Sequence, residues 1–531
     1  MAEFNECNTP DAQTPWDGRG LPPGVVPALL GLVGALLIVA VPYALTPLVD
    51  ESTPAGEKIS EMRIWIDGDP LPFSKHFRTS RPKPHTVVET PAEPAATPTG
   101  PATEPEVPEA PPIAVVEVPK APDGKPEVKE EHPLTRIKIP EATWEGLTTF
   151  IEDPNGALSH FYEQLGKVAL KEPKAIVRIS HFGDSAIAAD GMPSSARRLL
   201  QRTFGDGGHG FSLFAATNNW YRRKDINWDS SGFSGNAFIS GDAKDSRYGF
   251  GGTIVTGTRG AKAKWTTVED TAKPGEPATV GVNASRFSVH YLADKKLGEF
   301  GIFVDGEENA KVSTESDKLE DKVASIEVPD GPHTFEVRVT SGRVKLYGAI
   351  IERDSGVVYD GLGTIGARDT RWLNYDKDHA QSLFATRGTD LAVFMYGGNQ
   401  LEDKVTMDRY REELTNIVKL WRAGLGTRSC LLMSPIDHGE RYRGRVRTVP
   451  RQVQIMTVQR EVALAEGCAW FSLFDAMGGN GSIGDWFEQG LAEGDLAHPT
   501  SKGAVVLGQL FYKALMKGFA DHIAKSIETQ K

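Results

Sequence analysis

Hydrophobic positions fall into three kinds of pattern along the chain. The first is an unbroken apolar run from Gly24 to Leu45, GVVPALLGLVGALLIVAVPYAL, in which no polar stripe appears. As a helix these 22 uncharged residues span ~33 Å, the thickness of a bilayer core, so the run predicts a transmembrane helix. The tail before it, residues 1–23, has Arg19 as its single basic residue, and the run is longer than a signal-peptide core, so an uncleaved anchor is expected. The second pattern is the absence of one: residues 46–136 are rich in Pro, Glu and Ala with no periodicity, which predicts an extended, largely disordered linker.

The third pattern begins near Ile137. Ala157, Leu158, Phe161, Leu165 and Val168 recur at helical spacing, Ala175–Ser180 is a short strand-like run, and a second helical stretch covers Pro193–Thr203. From about Asn218 to Asp354 this alternation gives way to short strands separated by turns (FSVHYL, GEFGIFVDG, VKLYGAIIER), which predicts a β-sandwich. The α/β alternation then resumes to the end. The expected organisation is therefore an α/β unit in two parts, 137–217 and 355–531, interrupted by a β module at 218–354 that should sit beside the functional face.

Composition narrows the partners. A formal net charge of −12 removes the electrostatic attraction that binding to a phosphate backbone requires, so no nucleic-acid partner is expected. The three cysteines, Cys7, Cys430 and Cys468, make no small-domain disulfide framework. Cys430 and Cys468 each open a strand-like run and would pair if those strands were neighbours, but buried free thiols are the expected state. No HExxH, Walker loop or Cys/His cluster occurs, so neither metal nor cofactor is implied.

Candidate chemistry lies where polar residues end apolar strands. His181-Phe182-Gly183-Asp184-Ser185 follows the first strand and precedes a helix, a turn that exposes a hydroxyl beside free N–H groups. A helix cap at Asp184 or Ser185 is the competing reading. Near the other end, Asp495-Leu496-Ala497-His498 sets a carboxylate three residues before an imidazole, which suits an oriented general base. Between them, Gly397-Gly398-Asn399 ends a strand with an amide donor, and its rival is a turn asparagine. Gly361-Leu362-Gly363-Thr364-Ile365-Gly366 matches a dinucleotide-binding string, but no acidic strand end follows at the required distance, so that reading fails.

In their order and spacing, Gly183-Asp184-Ser185, Gly366, Gly397-Gly398-Asn399 and Asp495–His498 resemble the four blocks of the SGNH (GDSL) hydrolase superfamily. HFGDSAIAAD and RRLLQRTFGDGGHGF resemble the branch holding periplasmic peptidoglycan O-acetylesterases, with departures at Ala186 and Gln400. The resemblance implies a flavodoxin-like three-layer α/β/α fold with a carbohydrate-module-like insert. By it Ser185 is the nucleophile, His498 the base and Asp495 its partner, and Ser185, Gly366 and Asn399 form the oxyanion hole. Asp437 and His438, where another strand reaches the same edge of the sheet, read as pocket lining or turn residues, and with Trp220 and Trp228 they are further candidates for substrate contact. The implied function is a serine esterase removing O-acetyl groups from a polysaccharide, peptidoglycan first. Its implied place is the bacterial inner membrane, with the catalytic part in the periplasm. A polysaccharide O-acetyltransferase using the same triad and a non-catalytic glycan-binding protein are the alternatives.

Overall fold

A computed structural model describes residues 107, 111–116, 132–216, 221–238, 241, 245–274, 276 and 278–529, together with two short backbone pieces at 65–66 and 69–70. Those pieces, Trp65–Ile66 and Asp69–Pro70, pair antiparallel within a separate unit made of residues 1–100. The run expected to cross a membrane, 24–45, lies outside the described residues. Among the described residues no helix is long and apolar enough to do so. All that follows concerns the second unit.

Five parallel strands form its centre: β1 (Ile176–Gly183), β2 (Gly356–Gly363), β3 (Leu391–Met395), β4 (Ser429–Met433) and β5 (Ala469–Phe471), in the order β2-β1-β3-β4-β5. This is the flavodoxin-like order, with the reversal of winding between β1 and β3. Around the sheet lie α1 (Ser159–Ala169), the short α2 (Ser185–Ala188), α3 (Gly191–Phe204), α4 (Lys377–Arg387), α5 (Met407–Leu425), α6 (Pro450–Ala465), the short α7 (Ser482–Glu488) and α8 (Ser501–Thr529).

β3 (LAVFM) and β5 (AWF) are wholly apolar, and β4 is so after Ser429, because both faces of the sheet are covered. Along β3, Leu391, Val393 and Met395 join one core with Phe161 of α1, Leu199 of α3 and Phe511 of α8. Ala392 and Phe394, pointing the other way, join a second core with Phe384 of α4, Trp421 of α5 and Ile455 of α6. Phe394 and Trp421 stack there with ring centroids 3.6 Å apart.

Cys430 and Cys468 are bonded to each other, contrary to the free thiols expected from the sequence. The cause is register: β4 and β5 pair with Leu431 opposite Ala469, which places the two preceding cysteines side by side, Cα atoms 4.7 Å apart. The linker expectation is also corrected in part. Ala114–Val115 pairs antiparallel with Ile137–Lys138, and Val107 and Leu134 are buried in the first core. The apolar patch Ile113-Ala114-Val115-Val116 inside the Pro-rich stretch has something to pair with, and it does.

Among the described residues, nine antiparallel strands run from Gly210–Ser212 to Arg343–Glu352. They are hydrogen-bonded into one sheet through the long strand Thr253–Thr267, yet that sheet is folded over. Phe287 and Phe335 sit on strands three steps apart in the order, which in a flat sheet means ~14 Å. Their rings stack at 4.6 Å instead. The sandwich core between the two halves holds Trp265, Phe300, Ile302 and Val337.

The module does not join at the functional face, as expected, but at the opposite, amino end of β2. There Val357 N–H donates to Gly205 O (2.9 Å) and Gly207 N–H to Val357 O (3.0 Å). A buried charge network fixes it: Arg387 of α4 bridges Asp360 of β2 (2.8 Å) and Glu352, the last residue of the module (2.7 Å), while Phe211 N–H donates to Asp360 Oδ1 (2.8 Å). One turn of the module still reaches the other end: a Cβ on Gly252 would lie 2.9 Å from Phe238 and 3.5 Å from Thr364 Oγ1.

Candidate active site

Ser185 stands at the carboxyl end of β1, at the reversal of winding where open α/β sheets form their clefts. Gly183, the last residue of β1, is required there: a Cβ would lie 2.5 Å from Ile187 and 2.8 Å from the Met395 carbonyl oxygen, so only glycine lets β1, β3 and α2 converge. Asp184 caps α2 by accepting from Ala186 N–H (3.1 Å). Ser185 is therefore the first helical residue, and its N–H has no intrahelical acceptor.

The structure brings Ser185, His498 and Asp495 together. Ser185 Oγ lies 2.8 Å from His498 Nε2, and His498 Nδ1 lies 2.7 Å from Asp495 Oδ2. With Nδ1–H donating to the carboxylate, Nε2 is free to accept the serine proton. Asp495 Oδ1 accepts from Ala497 N–H (3.0 Å) and His498 N–H (3.1 Å). Burial opposes ionisation of Asp495, but these hydrogen bonds outweigh it and hold the carboxyl below its ordinary value. Leu496 makes the turn possible by adopting a left-handed φ of +57°, a conformation worth roughly 1–3 kcal/mol of strain. Its buried side chain and the bond from Gly439 N–H to its carbonyl (2.8 Å) hold it there. The His498 and Asp495 side chains are 45% and 52% exposed, so solvent reaches the pair.

Asn399 opens a 3₁₀ turn just after β3. Its Nδ2 donates to Asp184 Oδ2 (3.2 Å) and to Ala367 O (3.0 Å), and Thr364 N–H donates to Gly183 O (3.0 Å). The loop carrying Gly366 is thus tied against the Ser185 turn from both sides. Gly366 has φ +75° and open space where a Cβ would be. Burial pushes the Asp184 carboxyl up to about 6, despite the bonds from Ala186 and Asn399 that favour its charge. Its role as acceptor for Asn399 has no local sequence signal, since the two lie 215 residues apart.

The remaining predicted residues divide. Asp437 is not placed for substrate contact: it is fully buried, taking hydrogen bonds from Thr448 Oγ1 (2.7 Å) and Ile483 N–H (3.0 Å). A carboxylate at a strand's end anchors a hairpin here. His438 does line the site. A Cβ on Gly398 would lie 2.4 Å from its ring, so glycine admits the imidazole beside the Asn399 turn. Burial, then the nearby His498, pushes the His438 pKa down to about 4, leaving it neutral at neutral pH. Trp220 lies outside the described residues. Trp228 is half-buried, set edge-on to Tyr221 between the second core and the sandwich core, and is not an open platform for a sugar; Trp265 is wholly buried.

No family model and no curated protein matches the chain. Among solved structures it is similar to one titled "Peptidoglycan O-acetylesterase in action, 5 min", with a TM-score of 0.59 and 22% identity over 70% of this chain and 99% of that one. The likeness shows that the two chains share a fold. Weaker likenesses are a family two carbohydrate esterase from Cellvibrio japonicus (TM-score 0.24, 10% identity, 56% of this chain and 98% of that one) and a catalytic mutant of an acetylxylan esterase from Geobacillus stearothermophilus (TM-score 0.23, 19%, 30% and 73%). In this frame the four sequence blocks meet at one end of the sheet, while the inserted module joins at the other.

Proposed function

We propose that the chain is a serine esterase that removes O-acetyl groups from an acetylated glycan, with peptidoglycan the first choice. The observation that carries this reading is the Ser185–His498–Asp495 relay, with hydrogen bonds of 2.8 and 2.7 Å, at the mouth of a parallel sheet. Ser185 Oγ attacks the ester carbonyl carbon as its proton passes to His498 Nε2, and Asp495 stabilises the imidazolium. The tetrahedral oxyanion faces the free Ser185 N–H and the Asn399 and Gly366 loops. Collapse breaks the bond to the sugar oxygen, which takes the proton from Nε2 and leaves as a hydroxyl. Water then repeats the sequence on the acyl-serine, releasing acetate and restoring the hydroxyl.

Water access favours hydrolysis over transfer to a second sugar, because the catalytic imidazole and its carboxylate are about half exposed. The uncharged run 24–45 and the Cys430–Cys468 disulfide both support an anchored enzyme acting outside the reducing cytosol, in the periplasm. The test is acetate release from O-acetylated peptidoglycan and from a small acetylated sugar by the purified protein and by Ser185→Ala. Release lost in the variant supports the reading. No release from either substrate by folded wild-type protein sinks it in favour of a glycan-binding protein or a transferase.

A further inference from the structure

Beyond Asp437 the chain makes a two-stranded hairpin, Gly439–Tyr442 against Arg445–Thr448, with the sequence GERYRGRVRT. It carries four arginines and one acid, in a chain whose net charge is −12. The register sets Glu440 opposite Arg447 and Tyr442 opposite Arg445 on one face, and Arg441 opposite Val446 on the other. Val446 faces the body of the protein, within 2.9 Å of where a Cβ on Gly484 of α7 would stand. A lone hairpin of this size would not hold in water. This one is pinned: Asp437 accepts from Thr448 Oγ1, which in turn accepts from Gly481 N–H (2.8 Å).

All four arginines are exposed, yet only Arg447 has a carboxylate, Glu440 at 2.7 Å. Among the described residues Arg441, Arg443 and Arg445 form no ion pair, although Asp485 and Glu488 stand on the adjoining α7. Two aromatic rings lie open beside them. Tyr442 is 43% exposed, with the Arg443 and Arg447 guanidinium groups 5.1 and 3.8 Å from its ring centre; Phe487 is 40% exposed, with that of Arg441 at 5.8 Å. The hairpin also starts at the catalytic turn, since Gly439 N–H bonds the carbonyl of Leu496, between Asp495 and His498. Four extended residues carry its tip ~13 Å from that point, a distance of a few sugar rings.

We propose that this hairpin is a binding arm for an anionic glycan. Arg441, Arg443 and Arg445 take carboxylates on units beyond the one whose ester reaches Ser185, and Tyr442 and Phe487 take the apolar faces of the sugars. Guanidinium forks suit carboxylates, and ring faces suit pyranose rings. The proposal rests on the esterase reading for its substrate but not for its test.

The test compares the protein with its Arg441→Gln/Arg443→Gln/Arg445→Gln variant on two acetylated polymers of similar length, one carrying carboxylates and one neutral. The ratio of kcat/KM for the anionic over the neutral polymer should fall about tenfold in the variant, through KM. Binding of the anionic polymer to Ser185→Ala protein, which needs no turnover, should weaken by a similar factor when the three arginines are changed, and should weaken with salt in their presence. An unchanged ratio together with unchanged binding overturns the arm. Arginine-dependent retention on vesicles of anionic lipid, without any effect on glycan binding, also overturns it and assigns the hairpin to a membrane surface. Binding that behaves as stated while neither polymer is deacetylated retains the arm and removes the esterase reading.

Discussion

Replacing Asn399 by alanine tests an amide that ties the Ser185 turn to the Gly366 loop, with its two N–H groups on Asp184 Oδ2 and Ala367 O. Burial raises the Asp184 carboxyl from 3.8 to about 6. Because the folded-state value lies above the unfolded one, the protonated carboxyl favours folding. That contribution is complete below pH 3.8 and is lost as pH rises through about 6. At 1.36 kcal/mol per unit, the ionised group costs the native state on the order of 3 kcal/mol at pH 8. Asn399 limits this cost by donating to Asp184 Oδ2 at 3.2 Å, and it satisfies the Ala367 carbonyl at 3.0 Å. Without it, a buried carboxylate loses a charge-assisted bond worth about 1.5–3 kcal/mol and a carbonyl loses one worth about 1. Asn399→Ala should therefore be destabilised by ~2–4 kcal/mol at pH 8 and by only ~1 kcal/mol at pH 5, where Asp184 holds its proton. Urea unfolding at the two pH values measures this. A deficit that is the same at both pH values refutes the coupling to Asp184.

Two other changes probe what holds the frame. Arg387→Met leaves the fully buried Asp360 with only Ser180 and the Phe211 N–H, so unfolding free energy should fall by about 3–5 kcal/mol; a loss under about 1 kcal/mol would show that the network adds little. Reducing the Cys430–Cys468 bond, which closes a separation of 38 residues, should lower stability by about 2–4 kcal/mol. Dithiothreitol should shift the urea midpoint of the wild type but leave that of Cys430→Ser/Cys468→Ser where it is.

What could be read from the sequence depended on how local the signal was. Ser185 was legible because an apolar strand, a polar turn and a helix follow within a few residues, and His498 because its carboxylate partner is three residues away. Asp437 was ambiguous for the same reason: a carboxylate at a strand end reads equally as a turn residue or a substrate contact until its partners, Thr448 and the Ile483 N–H, are seen to enclose it. The disulfide was not legible, because the pairing of β4 with β5 is a property of sheet order and not of either strand. Nor was the junction of the β module, since the length of α3 brings the chain back to the amino end of the sheet before the module begins. The arginine hairpin left a visible trace, an arginine at every second position about Gly444, but that spacing does not say which residues pair or what they face.

The position of the module also governs the order in which this protein can assemble. β1, the strand that leads to Ser185, has both its partners far downstream: Ile176 pairs with Gly356, and Ile179 with Leu391. A nascent chain emerging from its amino end must hold β1 unpaired while well over a hundred residues are made, an exposure that invites misassembly. The module's strands pair within their own span, so it can close first. Once it has, Gly205 and Val357 are neighbours, and a loop of some 150 residues has become, for the hydrolase sheet, a tight turn. The insertion is then less an interruption of the catalytic fold than the step that makes its first strand pairing affordable in time.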